Sequence, residues 1–83
     1  MGINVLLFGK VADKAGLRQV TLDRPATGLS LTTVRSEVLG QLFETGVLDQ
    51  SAVQMSVNQV RVTGDADLSD GDEVAFFSAF SGG

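Results

Sequence analysis

From Ile3 to Phe8 the chain carries a single polar side chain, Asn4. Successive side chains of an extended backbone point to opposite faces, so Ile3, Val5 and Leu7 share one side while Leu6 and Phe8 share the other. This stretch predicts a first strand that is partly apolar on both faces. A loop is expected from Gly9 to Gly16. Arg18 to Asp23 then alternates, with Val20 and Leu22 on one side, and predicts a half-buried second strand forming a hairpin with the first.

Pro25 to Gly28 interrupts the strand pattern, and the period then changes from two to about 3.6. Ser30 is placed to cap a helix whose apolar face is Leu31, Val34, Val38, Leu39, Leu42 and Phe43. Gly46 stands where such a helix stops. Gly40 weakens it by about 1 kcal/mol relative to alanine without changing the period. Residues 47–53 have room for a short helical turn. Met55 to Val57 and Val60 to Val62 predict two short strands around Asn58-Gln59, since asparagine tolerates the left-handed backbone of a tight hairpin. Asp70-Gly71 marks another turn before a last strand at Glu73 to Phe77. Strand, strand, helix and three strands pack most economically as a mixed sheet of about five strands with one main helix on one face. That order is the β-grasp, or ubiquitin-like, arrangement of the α+β class. It divides the chain into a domain at 1–77 and a C-terminal tail at 78–83.

Composition then removes most chemistry. At 83 residues and 43% hydrophobic the chain suits one small domain with one core. It contains no cysteine and no histidine, hence no disulfide, no thiol nucleophile and neither of the usual imidazole roles, general base and metal ligand. The net charge of -4 and six scattered basic residues argue against nucleic acid and anionic membrane surfaces as partners. The N-terminus reads as a strand and not as a signal peptide. No stretch approaches the length needed to span a bilayer, and a cytoplasmic location is expected.

The side-chain motifs fail one by one. Asp65, Asp67, Asp70, Asp72 and Glu73 form an acidic cluster. Aligned as a calcium loop starting at Asp65, the cluster puts Asp70 at the glycine position and Phe76 at the bidentate glutamate position, so it reads as a solvated turn. Gly9-Lys10 lacks the rest of a phosphate-binding loop, Gly64 and Gly71 form no dinucleotide fingerprint, and no serine has a histidine to activate it. Neither a metal nor a nucleotide site is expected in this chain, and no cofactor bound by it.

What remains is the end, Phe76-Phe77-Ser78-Ala79-Phe80-Ser81-Gly82-Gly83. After the last strand of a ubiquitin-like order, Gly82-Gly83 points to chemistry on the main chain. A terminal carboxylate, with pKa about 3.5, is ionised at neutral pH. Glycine leaves the acyl carbon unhindered and accepts unusual dihedrals in a narrow channel. Six residues from Ser78 reach about 20 Å when extended.

The segment LSDGDEVAFFSAFSGG, Leu68 to Gly83, resembles the end of the small subunits of molybdopterin synthase, and VNQV at Val57–Val60 and the opening INVLLFGKVADKAG are similar to that family too. The likeness covers nearly the whole chain. The family commonly has two prolines where Ser78-Ala79 stand here, so this tail is less stiff. The resemblance implies a non-catalytic sulfur carrier. A ubiquitin-activator-like adenylyltransferase, using ATP and Mg2+, joins AMP to Gly83, and a sulfur donor (a sulfurtransferase or desulfurase) converts the adenylate to a thiocarboxylate. The large synthase subunit then receives the tail, and sulfur passes to the pterin precursor.

Ordering six tail residues costs about 6–12 kcal/mol of backbone entropy, so a docking surface on the body is expected. With Val74 and Phe76 facing the helix, Phe77 joins Leu6 and Phe8 on the uncovered sheet face, each contributing about 1.5–3 kcal/mol if fully buried by a partner. The alternative is that these three pack under the 9–17 segment. Arg61 is expected on the same face, either paired with a partner's acidic group or simply solvated. Phe80 is expected either to plug the channel entrance or to contact the body. Three other functions share the pattern: a sulfur carrier for thiamine or cysteine synthesis, a ubiquitin-like modifier joined to target lysines, and a plain interaction module indifferent to its terminus.

Overall fold

The computed structural model describes residues 2–78. Its elements are β1 (Gly2–Leu7), α1 (Gly9–Ala15), β2 (Gln19–Asp23), β3 (Leu29–Ser30), α2 (Leu31–Glu44), a 3-10 turn (Gln50–Ala52), β4 (Val53–Val57), β5 (Val60–Val62), β6 (Asp67–Leu68) and β7 (Glu73–Ser78). Five strands form a mixed sheet in the order β2-β1-β7-β4-β5. β1 and β7 are parallel at its centre, and the other pairs are antiparallel. β3 and β6 make a separate two-residue ribbon. This is the expected β-grasp sheet.

The register sorts the side chains. Val20, Val5, Val74, Val57 and Val60 lie in one row across the five strands. Leu7, Phe76, Met55 and Val62 make the next row on the same face. α2 covers this face, and Ile3, Val5, Val74 and Phe76 are completely buried with its Leu31, Val34 and Leu39. Val60, at the sheet edge, is left 66% exposed.

Local signals explain the long helix. Ser30 has an extended backbone and its hydroxyl accepts from the Thr33 N–H at 3.2 Å, satisfying one of the unpaired donors at the start of α2. At the other end Gly46 has φ 80° and returns its N–H to the Phe43 carbonyl, the left-handed stop that glycine accepts without a Cβ penalty. Within 47–53, where the sequence left room for a helical turn, residues 50–52 form a short 3-10 turn capped by Asp49, whose carboxylate accepts from the N–H and hydroxyl of Ser51. Asn58 and Gln59 both adopt positive φ, 50° and 70°, which matches the twist of the β4–β5 hairpin.

The expected loop at 9–16 is instead the helix α1. Seven residues cannot sustain a helix alone, and its N-cap, Phe8, makes no side-chain hydrogen bond. Packing supplies the stability: Val11 is fully buried, with Ala12 and Ala15 beside it, and α1 lies against β7 and α2. Gly16, at φ 77°, ends it with an N–H to the Ala12 carbonyl. The first strand accordingly stops at Leu7. Ser78, expected to open the tail, is paired with Val53 as the last residue of β7.

The acidic cluster has structural duties. Asp65 accepts from the N–H groups of Thr32 and Ala66 and so caps α2 from a distance in sequence. Asp72 accepts from the Ser69 N–H at 2.8 Å and the Asn58 amide at 3.0 Å, while Asn58 Oδ1 accepts from the Glu73 N–H. No three of these carboxylates converge on a metal site among the described residues. The Ser69 and Asn58 hydrogen bonds hold Asp72 below its ordinary carboxylate value of 3.8, since they favour the charged form. A carboxyl depressed on folding adds stability that is present above 3.8 and disappears as pH falls through the lowered value. In urea unfolding followed from neutral pH to below 4, Asp72→Asn is therefore expected to flatten the acid loss of stability relative to the parent. An unchanged acid slope contradicts this assignment.

Candidate functional site on the outer sheet face

The sheet face turned away from α2 is built by the residues between the core positions. One row crosses all five strands as Gln19, Leu6, Ala75, Ser56 and Arg61. The next row toward the end of β7 has Phe77 beside Gln54. Phe8, just past β1, keeps an extended backbone and donates its N–H to the Phe76 carbonyl at 3.1 Å. That hydrogen bond continues the parallel ladder and sets Phe8 alongside Phe77.

Leu6, Phe8 and Phe77 are thus brought together on one face. Phe8 is half exposed, and Leu6 and Phe77 are partly so. None of the three belongs to the core cluster around Val11, and Leu6 and Phe8 line a groove with Gly9, Ala12 and Asp13 of α1 and with Arg18 and Gln19. Ala75, which alternates with the inward Val74 and Phe76 as Phe77 does, lies beside them: it is only 7% exposed although it is on the outer face, flanked in its row by Leu6 and Ser56. A small residue at the centre leaves the larger Leu6 and Phe77 as the raised features.

Arg61 lies on the same face but not in the cluster. It is exposed on the edge strand β5, three strand spacings from Leu6, or about 14 Å at the usual spacing. Phe80, Gly82 and Gly83 lie outside the described residues. What the structure does fix is where the chain leaves the sheet. β7 is the central strand, and its last residues Phe77 and Ser78 pair with Gln54 and Val53 at the start of β4. The five residues 79–83 extend at most about 18 Å from that point, beginning at the aromatic end of the outer face.

The patch offers apolar area, the amides of Gln19 and Gln54 and the hydroxyl of Ser56, without an acid–base pair or nucleophile. No helix among the described residues is long and apolar enough to cross a membrane.

The ThiS family model matches residues 5–83. No match was found among curated protein sequences. Among solved structures, SAMP1 from Haloferax volcanii superposes with a TM-score of 0.78 at 22% identity, covering 100% of both chains. A chain assigned as molybdopterin converting factor subunit 1 from Pyrococcus furiosus gives 0.76 at 24% identity, covering 94% of this chain and 97% of that one. The protein–protein complex of subunits 1 and 2 of the molybdopterin-converting factor from Helicobacter pylori contains a chain that matches at 0.65 and 19% identity, with full coverage of both. At these identities the structural likeness carries the fold.

Proposed function

This chain belongs to the ThiS family of ubiquitin-like sulfur carriers, and we propose that it is the sulfur-carrying small subunit of a molybdopterin synthase, acting through the carboxylate of Gly83. The observation that carries this reading is the join between sheet and terminus. The last described residues leave the central strand beside an aromatic patch, and Ser81-Gly82-Gly83 follow within the stretch that the family model matches. The choice of pathway is supported by the Leu68–Gly83 segment, and by the likeness to the Helicobacter pylori chain, whose structure was solved in complex with subunit 2 of its converting factor.

The chemistry follows from the terminal group. A carboxylate oxygen of Gly83 attacks the α-phosphorus of ATP on the activating partner, pyrophosphate leaves, and an acyl-adenylate forms. Hydrosulfide supplied by the donor then attacks the acyl carbon, AMP departs and a proton is lost, leaving a thiocarboxylate. This soft nucleophile attacks an electrophilic carbon of the pterin precursor, and water then cleaves the acyl–sulfur bond, leaving the sulfur on the precursor and a carboxylate on Gly83. The body of the chain binds and positions, and Leu6, Phe8 and Phe77 are its grip on the large subunit. The test is mass spectrometry of the intact chain after incubation with the adenylyltransferase, ATP, Mg2+ and a sulfur donor. The expected mass gain is the difference between sulfur and oxygen, and the product should then support dithiolene formation with the large subunit and the pterin precursor. A modifier would give isopeptide adducts on target lysines instead. That second reading is favoured by the likeness to SAMP1, a small archaeal modifier protein, and to Urm1 from Trypanosoma brucei.

Phe77→Ala tests the grip. Its ring sits on the outer face, so folding should survive, whereas a buried contact of about 1.5–3 kcal/mol is lost from the complex. That corresponds to a roughly 10- to 150-fold weaker dissociation constant for the large subunit, read by calorimetry. Unchanged affinity would remove the patch from the interface.

A further inference from the structure

The nine residues from Lys10 to Arg18 hold three of the chain's six basic side chains and a single carboxylate, Asp13, in a chain of net charge -4. Lys10, Lys14 and Arg18 are all exposed. Elsewhere Arg24 donates to the Leu68 carbonyl, and Arg35 lies over the Phe43 ring and donates to the Gln50 carbonyl. Among the described residues the side chains of Lys10, Lys14, Arg18 and Arg61 have no such anchor, and the first three are together. As a pair the lysines do not stabilise α1. Lys10 stands in its first turn, at the positive end of the helix dipole, and Lys14 lies one turn further along the same face, where like charges repel. Only Lys14, in the last turn, suits the dipole. Helix stability therefore does not account for the cluster.

The cluster stands at one end of the sheet. β1 and β7 are parallel, in register from the pair Asn4 and Glu73 to the pair Leu7 and Phe76, so both finish where α1 begins. The Arg18 carbonyl accepts from the Leu7 N–H at 2.9 Å, which fixes residue 18 at that end, and Arg18 lines the groove of Leu6, Phe8 and Ala12. Asp23, Asp70, Asp72 and Glu73 gather at the other end: Asp23 pairs with Gly2, and the Gly71 N–H donates to the Gly2 carbonyl. Five steps of strand, about 17 Å, separate the two ends. The cations also adjoin apolar surface, since Phe8 and Leu17, 50% and 43% exposed, bracket α1. Apolar side chains left in water and rimmed by charge mark an interaction surface.

We infer that Lys10, Lys14 and Arg18 form a cationic rim on the docking patch, which meets carboxylates of the large subunit while Leu6 and Phe8 meet its apolar surface. The carrier reading supplies the identity of the partner; charge and position supply the rim. Continuity selects the occupant, because the groove that Arg18 lines is also lined by Leu6 and Phe8, the grip assigned to that subunit. An acidic partner surface attracts this end of the sheet and repels the end that holds Asp70, Asp72 and Glu73. Approaching molecules are therefore turned so that the end of β7 leads. Rim charges of this kind act on the rate of association and its salt dependence more than on dissociation.

The test is stopped-flow association of the full-length chain with the large subunit at about 0.01 M and about 1 M salt, between which the screening length falls from about 30 Å to about 3 Å. For the parent the association rate constant should fall about 10-fold or more across that range. Lys10→Gln, Lys14→Gln and Arg18→Gln together should remove most of this dependence and slow association at low salt by about 10-fold or more, with dissociation changed far less. Arg18→Gln alone should slow it more than Arg61→Gln, the same change at the far sheet edge. Arg18 lies outside α1, so this comparison still decides if the lysine changes disturb the helix. Association indifferent to salt, or as fast in the triple variant, overturns the rim and leaves a carrier that docks by its apolar patch alone. No association of the parent at either salt overturns the synthase reading and the rim with it. Two further results overturn the rim when the rate toward the large subunit is unchanged: cation-dependent sedimentation with anionic phospholipid vesicles, and cation-dependent self-association, in which the acidic end of a second copy takes the partner's place.

Discussion

Phe76→Ala is expected to remove about 3–5 kcal/mol of stability, the usual cost of emptying a large aromatic site in a closed core. Phe76 is completely buried in the central strand between β1 and β4, in the row with Leu7, Met55 and Val62 and under α2. Domains hold about 0.05–0.15 kcal/mol per residue, so 83 residues have about 4–12 kcal/mol in total. The substitution therefore takes about a quarter or more of the reserve and in the weaker case leaves the chain unfolded. Urea unfolding should show the midpoint falling with little change in slope. The control is one residue away. Phe77→Ala removes the same ring from the outer face and should cost less than half as much. Equal losses at 76 and 77 would mean that β7 does not alternate between a covered and an open face, and the docking patch would go with it.

Alternation is the part of this fold that was legible before any coordinates. Ile3, Val5 and Leu7 against Leu6 and Phe8, and Val74 and Phe76 against Phe77, are period-two patterns long enough to assign faces. The change of period after Ser30 located α2 together with its cap. What the chain could not disclose was anything resting on contacts distant in sequence. α1 was hidden because it is only seven residues long, starts on Gly9 and stops at Gly16, and its one strong signal, Val11, acquires meaning when β7 and α2 arrive to bury it. β3 and β6 are two residues each, and Leu29 finds Leu68 only in three dimensions.

Arg61 shows the same limit at the candidate site. Its parity was correct, since it does lie on the face of Leu6. Parity carries no information about strand order, and the order β2-β1-β7-β4-β5 sets it at the far edge. The aromatic cluster and Arg61 are therefore separate features, and a partner touching both must span most of the sheet. Arg35 and Phe43 escaped notice for a related reason: one reads as a helix surface charge and the other as core until Gln50 returns alongside α2 and joins them.

Appending one alanine after Gly83 is expected to abolish thiocarboxylate formation and, with it, dithiolene synthesis, provided the added residue is not clipped. The substitution leaves the body, the patch and the charge of the terminus as they were. It moves the reacting carboxyl about 3.5 Å along the chain and puts a methyl group on the α-carbon next to it. Misplacement by about 1 Å costs on the order of 100-fold where reacting groups must be held in line, so the adenylation rate should fall by at least that factor. Deleting Gly83 should have a comparable effect, because the same body then ends one residue short. Neither change touches the outer face, so binding of the unmodified chain to the large subunit should weaken little in comparison. That dissociation of grip from chemistry separates a carrier from an interaction module, which would tolerate both variants. Full sulfur transfer by the lengthened, intact chain would show that the reactive acyl group is not the one at position 83.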